Sequence, residues 1–355
     1  MNNRINCLTN RSLKRVLCIL LSLIFIIGTA GVFPAASFSA KKTKPSKAVK
    51  NVFAYLSEKA ASPGFEDTWT VIGAVRGKRK LPKGYKKTYY KNTVKYLSDN
   101  NWSITENRYT EYSKIILAMT AIGKDARDIE GHNLFEYLSD FENVKKQGIN
   151  GVAYALLALN SHIGYDIPHN PKAATQNSEK VMLDYILEKE GEDGGWYIMG
   201  GYADADITAI VLQAIAPYRE SDDRVSKAVD RALDFLSKSR NDEGGYLALL
   251  GSSRIESSES ISQVIISLTA LDIDPTKDLE YASGTGRKGI YERLMDYYVT
   301  IETGKGGFAH ILPDTGDAEV NDLASVEGMC AAASLYRLRK GLTSFYDMND
   351  VVFGK

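Results

Sequence analysis

The 355-residue sequence predicts an all-α fold, an α/α toroid in which six helical hairpins form two concentric rings of helices. Helices of two kinds alternate along the chain, and a Gly-Gly-aromatic turn recurs between them. A helix with one polar face borders solvent on one side, whereas a helix that is apolar nearly all round is buried. Two nested rings satisfy both requirements.

The N-terminus has the residue order of a secretory signal peptide. Basic residues precede the apolar stretch 16–27, and small residues follow at 35–40. We predict a signal peptide over 1–40, cleaved after Ala40, and hence a secreted or extracellular protein with no membrane span after cleavage. The alternative is an uncleaved anchor, because 16–33 is nearly long enough to cross a bilayer. Glycine and proline interrupt the second half of this stretch and favour cleavage.

Charge and cysteine content limit the function classes. Without the signal peptide the chain has 40 basic and 44 acidic residues, and this slight acidic excess argues against nucleic acid as a partner. Cys330 is the one cysteine outside the signal peptide, so no intramolecular disulfide is possible and the core must stabilise the fold. A basic linker over 41–47 precedes a stretch of uniform composition, which predicts a single toroid domain over 48–355.

Two sets of helical segments alternate after the linker. Six segments have the half-apolar pattern of outer helices: 47–60, 89–100, 132–141, 180–190, 227–239 and 291–302. Six shorter segments are apolar on most sides and predict inner helices: 67–77, 111–123, 151–161, 206–217, 260–272 and 323–337. Each outer and inner pair predicts one hairpin, and no β-strand is expected.

Three turns of one type lie between an outer and an inner segment. They are Gly194-Gly195-Trp196, Gly244-Gly245-Tyr246 and Gly306-Gly307-Phe308. Paired glycines permit a positive φ and a sharp change of direction, and the following aromatic ring can enter the space between helices. Three copies indicate a repeat. Trp196 and Phe308 are therefore interpreted first as packing residues.

Asp204 and Asp206 stand at the start of the fourth inner segment, and no other repeat carries such a pair. One interpretation is helix capping, in which a carboxylate accepts hydrogen bonds from free backbone N–H groups. The other is a carboxyl pair at the mouth of a cavity, where desolvation and mutual repulsion raise one pKa and leave a proton donor. Capping accounts for one aspartate and leaves the second unexplained.

Inner helices of a toroid begin at one end, so the polar residues at their starts are expected to share a rim. These residues are Glu111, Tyr112, 258–260, Gln263, Asp322, Ser325 and Glu327. A concave pocket with aromatic walls and a few polar groups is the usual form of a ligand site. The candidate substrate-binding residues are Trp69, Tyr112, Trp196, Tyr202, Tyr246, Glu259, Phe308 and Glu327. Capping by the polar residues and packing by the aromatic rings are the alternatives.

No metal site and no cofactor are predicted. The four histidines are scattered without the spacing of zinc ligands, and neither a phosphate-binding loop after a strand nor a G-x-S-x-G motif occurs. The basic residues at 78–80 and 83–87 are interpreted as a solvated loop. Contact of this basic loop with an anionic cell surface is the alternative.

The Gly-Gly-aromatic turns followed by apolar helices resemble the repeats of the terpenoid cyclase and protein prenyltransferase superfamily, whose fold is an α6/α6 toroid. The resemblance runs from Phe53 to Tyr346 and is most specific over 194–217. There the run D-A-D-I-T-A from Asp204 is similar to the D-x-D-D-T-A motif of class II cyclases such as squalene-hopene cyclase. The match implies that Asp206 protonates a polyene and that Asp204 assists it, but Ile207 replaces the last aspartate of the motif.

Two further branches of the superfamily offer other functions. Prenyltransferases imply a zinc site for which this chain has no Asp-x-Cys pair. Secreted single-toroid cobalamin carriers imply a corrinoid ligand. We therefore predict a secreted toroid that holds a hydrophobic small molecule in a central cavity, with acid-initiated cyclase chemistry at Asp206 and Asp204 left open. The alternatives are a non-catalytic extracellular module for a corrinoid, glycan or protein, and a surface scaffold.

Overall fold

The computed structural model describes residues 43–197, 203–250, 253–278, 280–283 and 286–354. The predicted signal peptide and the candidate site residue Tyr202 lie outside the described residues. Within these ranges, every helix is too short or too polar to cross a membrane.

Helices dominate the described residues. In chain order they are α1 Pro45–Lys59, α2 Thr68–Arg76, α3 Tyr85–Asp99, α4 Thr110–Ile122, α5 Phe141–Val144, α6 Gly148–Leu159, α7 Glu179–Glu188, α8 Ala205–Ile215, α9 Asp223–Ser239, α10 Ser258–Ala270, α11 Ile290–Asp296 and α12 Asp322–Arg339. The first helix begins inside the segment predicted as a linker.

The even-numbered helices form a closed inner ring. Each of α2, α4, α6, α8 and α10 packs against the next inner helix, and α12 packs back against α2. These helices are buried on most sides; all but one residue of α8, for example, is buried. The odd-numbered helices lie outside this ring with their polar faces exposed. The predicted α/α toroid of six hairpins is confirmed.

The outer layer departs from the prediction in the third hairpin. Segment 132–141 was expected to form one helix, but it contains a 3-10 helix, Leu134–Leu138, and the start of the short α5. Two capping residues divide the segment: Asn133 accepts a hydrogen bond from the Phe135 N–H, and Asp140 accepts one from the Glu142 N–H. Each cap begins a new helical turn, so the segment bends instead of continuing.

The expectation that the chain has no strand is wrong. Strand β1 (Leu247–Leu250) pairs antiparallel with β2 (Ser253–Glu256), and β3 (Tyr298–Glu302), β4 (Lys305–Ala309) and β5 (Val320–Asn321) form a second small antiparallel sheet. The third Gly-Gly-aromatic copy lies in β4. Both sheets lie between an outer and an inner helix, where they position the starts of α10 and α12.

A buried cluster of charged residues closes the ring between its first and last hairpins. Arg76 at the end of α2 and Arg337 in α12 are almost fully buried, and both bind the carboxylate of Asp350 at 2.6 and 2.9 Å. Arg337 also donates to the carbonyl oxygen of Arg76 at 3.1 Å. Since a buried charge requires a partner, Asp350 makes this junction possible.

Candidate active site

The first two Gly-Gly-aromatic turns are built alike. Gly194 and Gly244 have φ values of +85° and +92°, which residues other than glycine rarely adopt. In the first turn Asp193 Oδ1 accepts a hydrogen bond from the Gly195 N–H, and in the second turn Asn241 Oδ1 accepts one from the Gly245 N–H. These bonds fix the direction in which the aromatic residue leaves each turn.

The aromatic residues of the three turns pack between the helix layers. Trp196, Tyr246 and Phe308 have no exposed surface. The indole Nε1–H of Trp196 donates to the Ile186 carbonyl in the outer helix α7 at 2.7 Å, and its backbone N–H donates to the Thr208 hydroxyl in α8 at 2.9 Å. These rings therefore lie in the wall of the ring and fix the separation of its two layers. Their predicted contact with a ligand stays a prediction.

The structure separates the two roles considered for the aspartate pair. Asp204 is the N-cap of α8, and its Oδ1 accepts hydrogen bonds from the backbone N–H groups of Asp206 and Ile207 at 2.8 and 3.3 Å. Asp206 lies inside the first turn and makes no capping bond with its side chain. Its Oδ1 is buried and has no hydrogen-bond partner within the described residues. Capping therefore explains Asp204 but not Asp206.

Equivalent positions in neighbouring repeats bring the polar residues together. Asp206 lies two residues after the N-cap of α8, and Glu259 lies two residues after Ser257, the N-cap of α10. Gln263 and Glu327 each lie six residues after their N-caps, Ser257 and Asn321. Because inner helices start at the same end and share a register, these side chains face the same end of the ring.

Four residues form what we call the carboxyl cluster: Asp206, Glu259, Glu327 and His310. His310 Nδ1 is 2.8 Å from Glu259 Oε1, and the two form an ion pair when the imidazole is protonated. Gln263 Nε2 donates to Glu327 Oε2 at 3.1 Å, and Gln263 Oε1 accepts a hydrogen bond of 3.0 Å from Gln213 Nε2. The buried amides hold the Glu327 carboxyl in place.

Three members of the cluster, Asp206, Glu327 and His310, have a raised pKa. Burial, followed by the charge of Asp204, raises the pKa of Asp206 to about 7, although a hydrogen bond from Ser260 lowers it. Burial and the neighbouring carboxyls raise the pKa of Glu327 to about 8. The hydrogen bond with Glu259 raises the pKa of His310. Near neutral pH the carboxyl groups of Asp206 and Glu327 therefore still retain protons in part, beside the hydrogen-bonded pair of Glu259 and His310.

Some side chains in and beside the cluster are partly exposed. Asp206, Glu327, Tyr154 and Trp69 keep partial exposure, although they project from inner helices that are otherwise buried. The Trp69 ring lies 5.9 Å from that of Tyr154 and 6.5 Å from that of Tyr346. Glu327 contributes to the raised pKa of both Tyr154 and Tyr346, so the three rings form an aromatic wall beside the cluster.

Tyr112 occupies a different position. Its ring is buried and stacks on Tyr137 at 4.3 Å, and its hydroxyl donates to the Trp102 carbonyl and accepts from the Ile104 N–H. These bonds tie down the loop that precedes α4. Glu111 beside it pairs with Lys114 at 2.5 Å.

Several site residues were not found from the sequence. His310 was dismissed as a scattered histidine, and Tyr154, Tyr346 and Gln213 were not considered. An alignment of the repeats on their N-caps would have matched Asp206 with Glu259 and Gln263 with Glu327. No comparable signal identifies His310, which reaches Glu259 because β4 leads past the start of α10: its neighbour Ala309 accepts a hydrogen bond from the Ser258 hydroxyl.

Comparisons with known proteins show that the chain shares its fold with solved structures, and they assign it to no family. No family model and no curated protein matches the chain. The crystal structure of unsaturated glucuronyl hydrolase from Bacillus sp. GL1, described as responsible for the degradation of glycosaminoglycan, aligns with a TM-score of 0.54 and 11% identity over 86% of this chain and 98% of that chain. A mutant of unsaturated glucuronyl hydrolase from Streptococcus agalactiae aligns with a TM-score of 0.50 and 10% identity, over 87% of this chain and 98% of that chain.

These structures correct the function predicted from the sequence. The two proteins that align are unsaturated glucuronyl hydrolases, so the prediction of a terpenoid cyclase-like or prenyltransferase-like domain for a hydrophobic small molecule is wrong. So are its alternatives, a non-catalytic binding module and a surface scaffold. The physical reason lies in the carboxyl cluster: carboxyl groups and an imidazole come together at the starts of the inner helices, where an apolar ligand needs apolar surroundings.

Proposed function

We propose that the chain is a glycan-degrading hydrolase in which the carboxyl cluster cleaves a glycosidic bond. The observation that carries the proposal is the proximity of two carboxyl groups: Asp206, whose pKa is raised, and Glu259, which pairs with His310. Glycoside hydrolysis generally uses two carboxyl groups, one as an acid and one as a base or nucleophile. The toroid shared with the unsaturated glucuronyl hydrolases supports the same class of reaction.

Each member of the cluster has a role in this reaction. Asp206 donates its proton to the glycosidic oxygen while the bond from that oxygen to the anomeric carbon breaks. A water molecule adds to the anomeric carbon and gives a proton to Glu259, which His310 orients. Asp204 holds the start of α8 and, through its charge, keeps the Asp206 pKa high.

Glu327 and the aromatic wall serve binding. With its pKa raised to about 8, the Glu327 carboxyl keeps its proton near neutral pH and can hydrogen-bond a sugar hydroxyl as donor and acceptor. The rings of Trp69 and Tyr154 offer flat apolar surfaces for the apolar face of a sugar ring.

The charges around the cluster do not select between neutral and acidic sugars. Of the charged groups that shift the pKa of Asp204, Asp206 and Glu327 within the described residues, Arg254 and His310 are positive, and Asp204, Asp206 and Glu259 are acidic. Since Asp206 retains its proton below pH 7, the proposed substrate is a glycan, without a preference for an uncharged sugar over a uronic acid.

The test is hydrolysis of a glycan panel by the purified protein. Neutral, amino-sugar and uronate-containing polysaccharides are incubated at pH 6, and new reducing ends are measured. We expect cleavage of at least one glycan in the panel and a loss of about 10²- to 10⁴-fold in the Asp206→Asn variant. The absence of new reducing ends from every glycan, or equal rates for the variant, would refute the proposal.

Two narrower proposals accompany this one. The signal-peptide pattern over 1–40 supports export of the protein. The Gly-Gly-aromatic turns support a common evolutionary origin with squalene-cyclase-type repeats. This origin does not imply a shared activity.

A further inference from the structure

A second concave site lies at the other end of the toroid. The carboxyl cluster lies where the inner helices start, whereas this site lies where α2 and α4 end and the outer helix α3 starts. It is a hollow of about 780 Å³. Four basic residues line it: Lys78, Arg79, Lys86 and Lys87. Together with the aliphatic Val75 and Leu81 they form what we call the basic hollow.

The cations of the basic hollow exceed its anions. Asp350 is the one acidic residue among those that line it, and Arg76, Arg337 and Lys78 already surround its carboxylate, with Lys78 Nζ at 3.2 Å. Three cations therefore face a single carboxylate. Arg79, Lys86 and Lys87 form no ion pair with any described residue. The hollow presents this excess positive charge to solvent.

The start of α3 adds further positive potential. Its N-cap, Gly84, has no side chain to accept a hydrogen bond, and its first turn contains no acidic residue. The backbone N–H groups of Lys86 and Lys87 find no acceptor in the described part of the chain. The positive end of the helix dipole favours anions and disfavours the two lysines at this position. A bound anion would accept hydrogen bonds from the two free N–H groups and neutralise this positive charge.

The cations of the hollow also affect one another. Partial burial in the hollow and the charge of Lys78 lower the pKa of Lys86. A lowered lysine pKa means that the surroundings disfavour its positive charge. A bound anion would reverse that shift.

We propose that the basic hollow binds an acidic glycan chain that bears sulfate, phosphate or carboxylate groups. A hollow that mixes aliphatic walls with cations fits a chain of rings with pendant anions. A flat bilayer surface does not enter a concave site. The hollow offers no exposed aromatic ring for base stacking, because Tyr85 is its aromatic lining residue and is 4% exposed. The proposal does not depend on hydrolysis at the opposite end.

The test compares binding of fluorescent dextran sulfate with uncharged dextran of the same length. The protein is purified with its predicted signal peptide removed, and binding is followed by fluorescence anisotropy at 50 and 200 mM salt. We expect dextran sulfate alone to bind, more weakly at the higher salt because ions are released on binding. The double variant K86A/K87A should bind about tenfold more weakly.

The matched control is K50A/K227A. Lys50 and Lys227 are exposed lysines on α1 and α9, outside the hollow and without ion pairs among the described residues, so the net charge changes equally. Undiminished binding by this control supports the proposal. Equal weakening of both double variants, binding of uncharged dextran, or binding of anionic vesicles or single-stranded DNA in place of dextran sulfate would overturn it.

Discussion

Replacement of Asp206 by asparagine separates catalysis from stability, because the structure predicts opposite effects on the two. Asparagine keeps the shape of the side chain but neither ionises nor donates a carboxyl proton. As a general acid, Asp206 should account for about 10²- to 10⁴-fold in rate. As a carboxyl group with a raised pKa, it should destabilise the fold wherever it is ionised.

The pH dependence follows from the pKa of about 7 against the ordinary 3.8. Roughly nine tenths of the protein carries the proton at pH 6 and roughly one tenth at pH 8, so the wild-type rate should fall about tenfold per pH unit above 7. Between pH 4 and 7 the folded protein binds a proton that the unfolded chain has released. Stability therefore falls as pH rises through this window, and the penalty is fully present above pH 7.

The size of the stability effect follows from the same shift. At 1.36 kcal/mol per pKa unit, the shift from 3.8 to about 7 gives an upper value of about 4 kcal/mol. Since the side chain keeps partial exposure, we expect a gain of roughly 2–4 kcal/mol for the variant at pH 8 and little change at pH 4.

Two measurements on one set of proteins test this reasoning. Initial hydrolysis rates are recorded from pH 5 to 9, and denaturant unfolding is measured at pH 4 and 8. Asp242→Asn, the same change at an exposed turn residue, is the control and should alter neither quantity. Unchanged activity of Asp206→Asn, or a wild-type rate that stays flat above pH 7, would refute the role of the acid. No gain in stability at pH 8 would refute the raised pKa.

Four further variants, at three positions, test the cluster and the wall of the ring. Asp204→Ala should cost about 1 kcal/mol of stability through the lost cap, whereas Asp204→Asn should keep the cap and move the alkaline fall in rate to lower pH, because it removes a charge that raises the Asp206 pKa. Equal melting temperatures for both variants would contradict the capping role. His310→Gln should lower stability by about 1 kcal/mol or less at pH 5.5 and have little effect at pH 9, because the raised His310 pKa contributes stability below pH 6.5 that is lost as pH rises through the folded value. An equal loss at both pH values would show that the charge plays no part. Trp196→Phe should destabilise by about 1–3 kcal/mol in urea unfolding, because the Ile186 carbonyl loses its indole donor, and an unchanged midpoint would contradict that.

The architecture was predictable because the two kinds of helix differ in how much of their circumference is apolar. The small sheets were missed because their strands have two to five residues, too short for alternation to be recognised. Segment 291–302 was assigned entirely to a helix, although the β-branched residues of Tyr298–Glu302 favour a strand. The 3-10 helix at 134–138 was not predicted because its two capping residues, Asn133 and Asp140, are also compatible with one continuous helix.

The candidate site was predictable in part. Asp206, Glu259 and Glu327 were identified because polar residues at the start of apolar helices are conspicuous. Trp196, Tyr246 and Phe308 are equally conspicuous and are buried in the wall, which agrees with the packing role expected first for Trp196 and Phe308. The sequence alone does not reveal whether a ring after a turn faces the centre or the outer layer. The proposed glycan hydrolysis did not follow from the sequence because a carboxyl pair suits both a polyene and a glycan, and the other polar residues of the cluster come from distant repeats.

The closed inner ring also has a consequence for folding. In an open solenoid each new repeat docks on the previous one, so the nascent chain can bury its surface progressively. Here the first hairpin gains its second neighbour only when α12 and Asp350 arrive, and the Arg76–Asp350 pair joins residues 274 positions apart. Such distant contacts form slowly because a long loop must close first. Until that moment both ends of the unclosed arc expose apolar helix faces, so the period before closure is when the chain is most prone to aggregate.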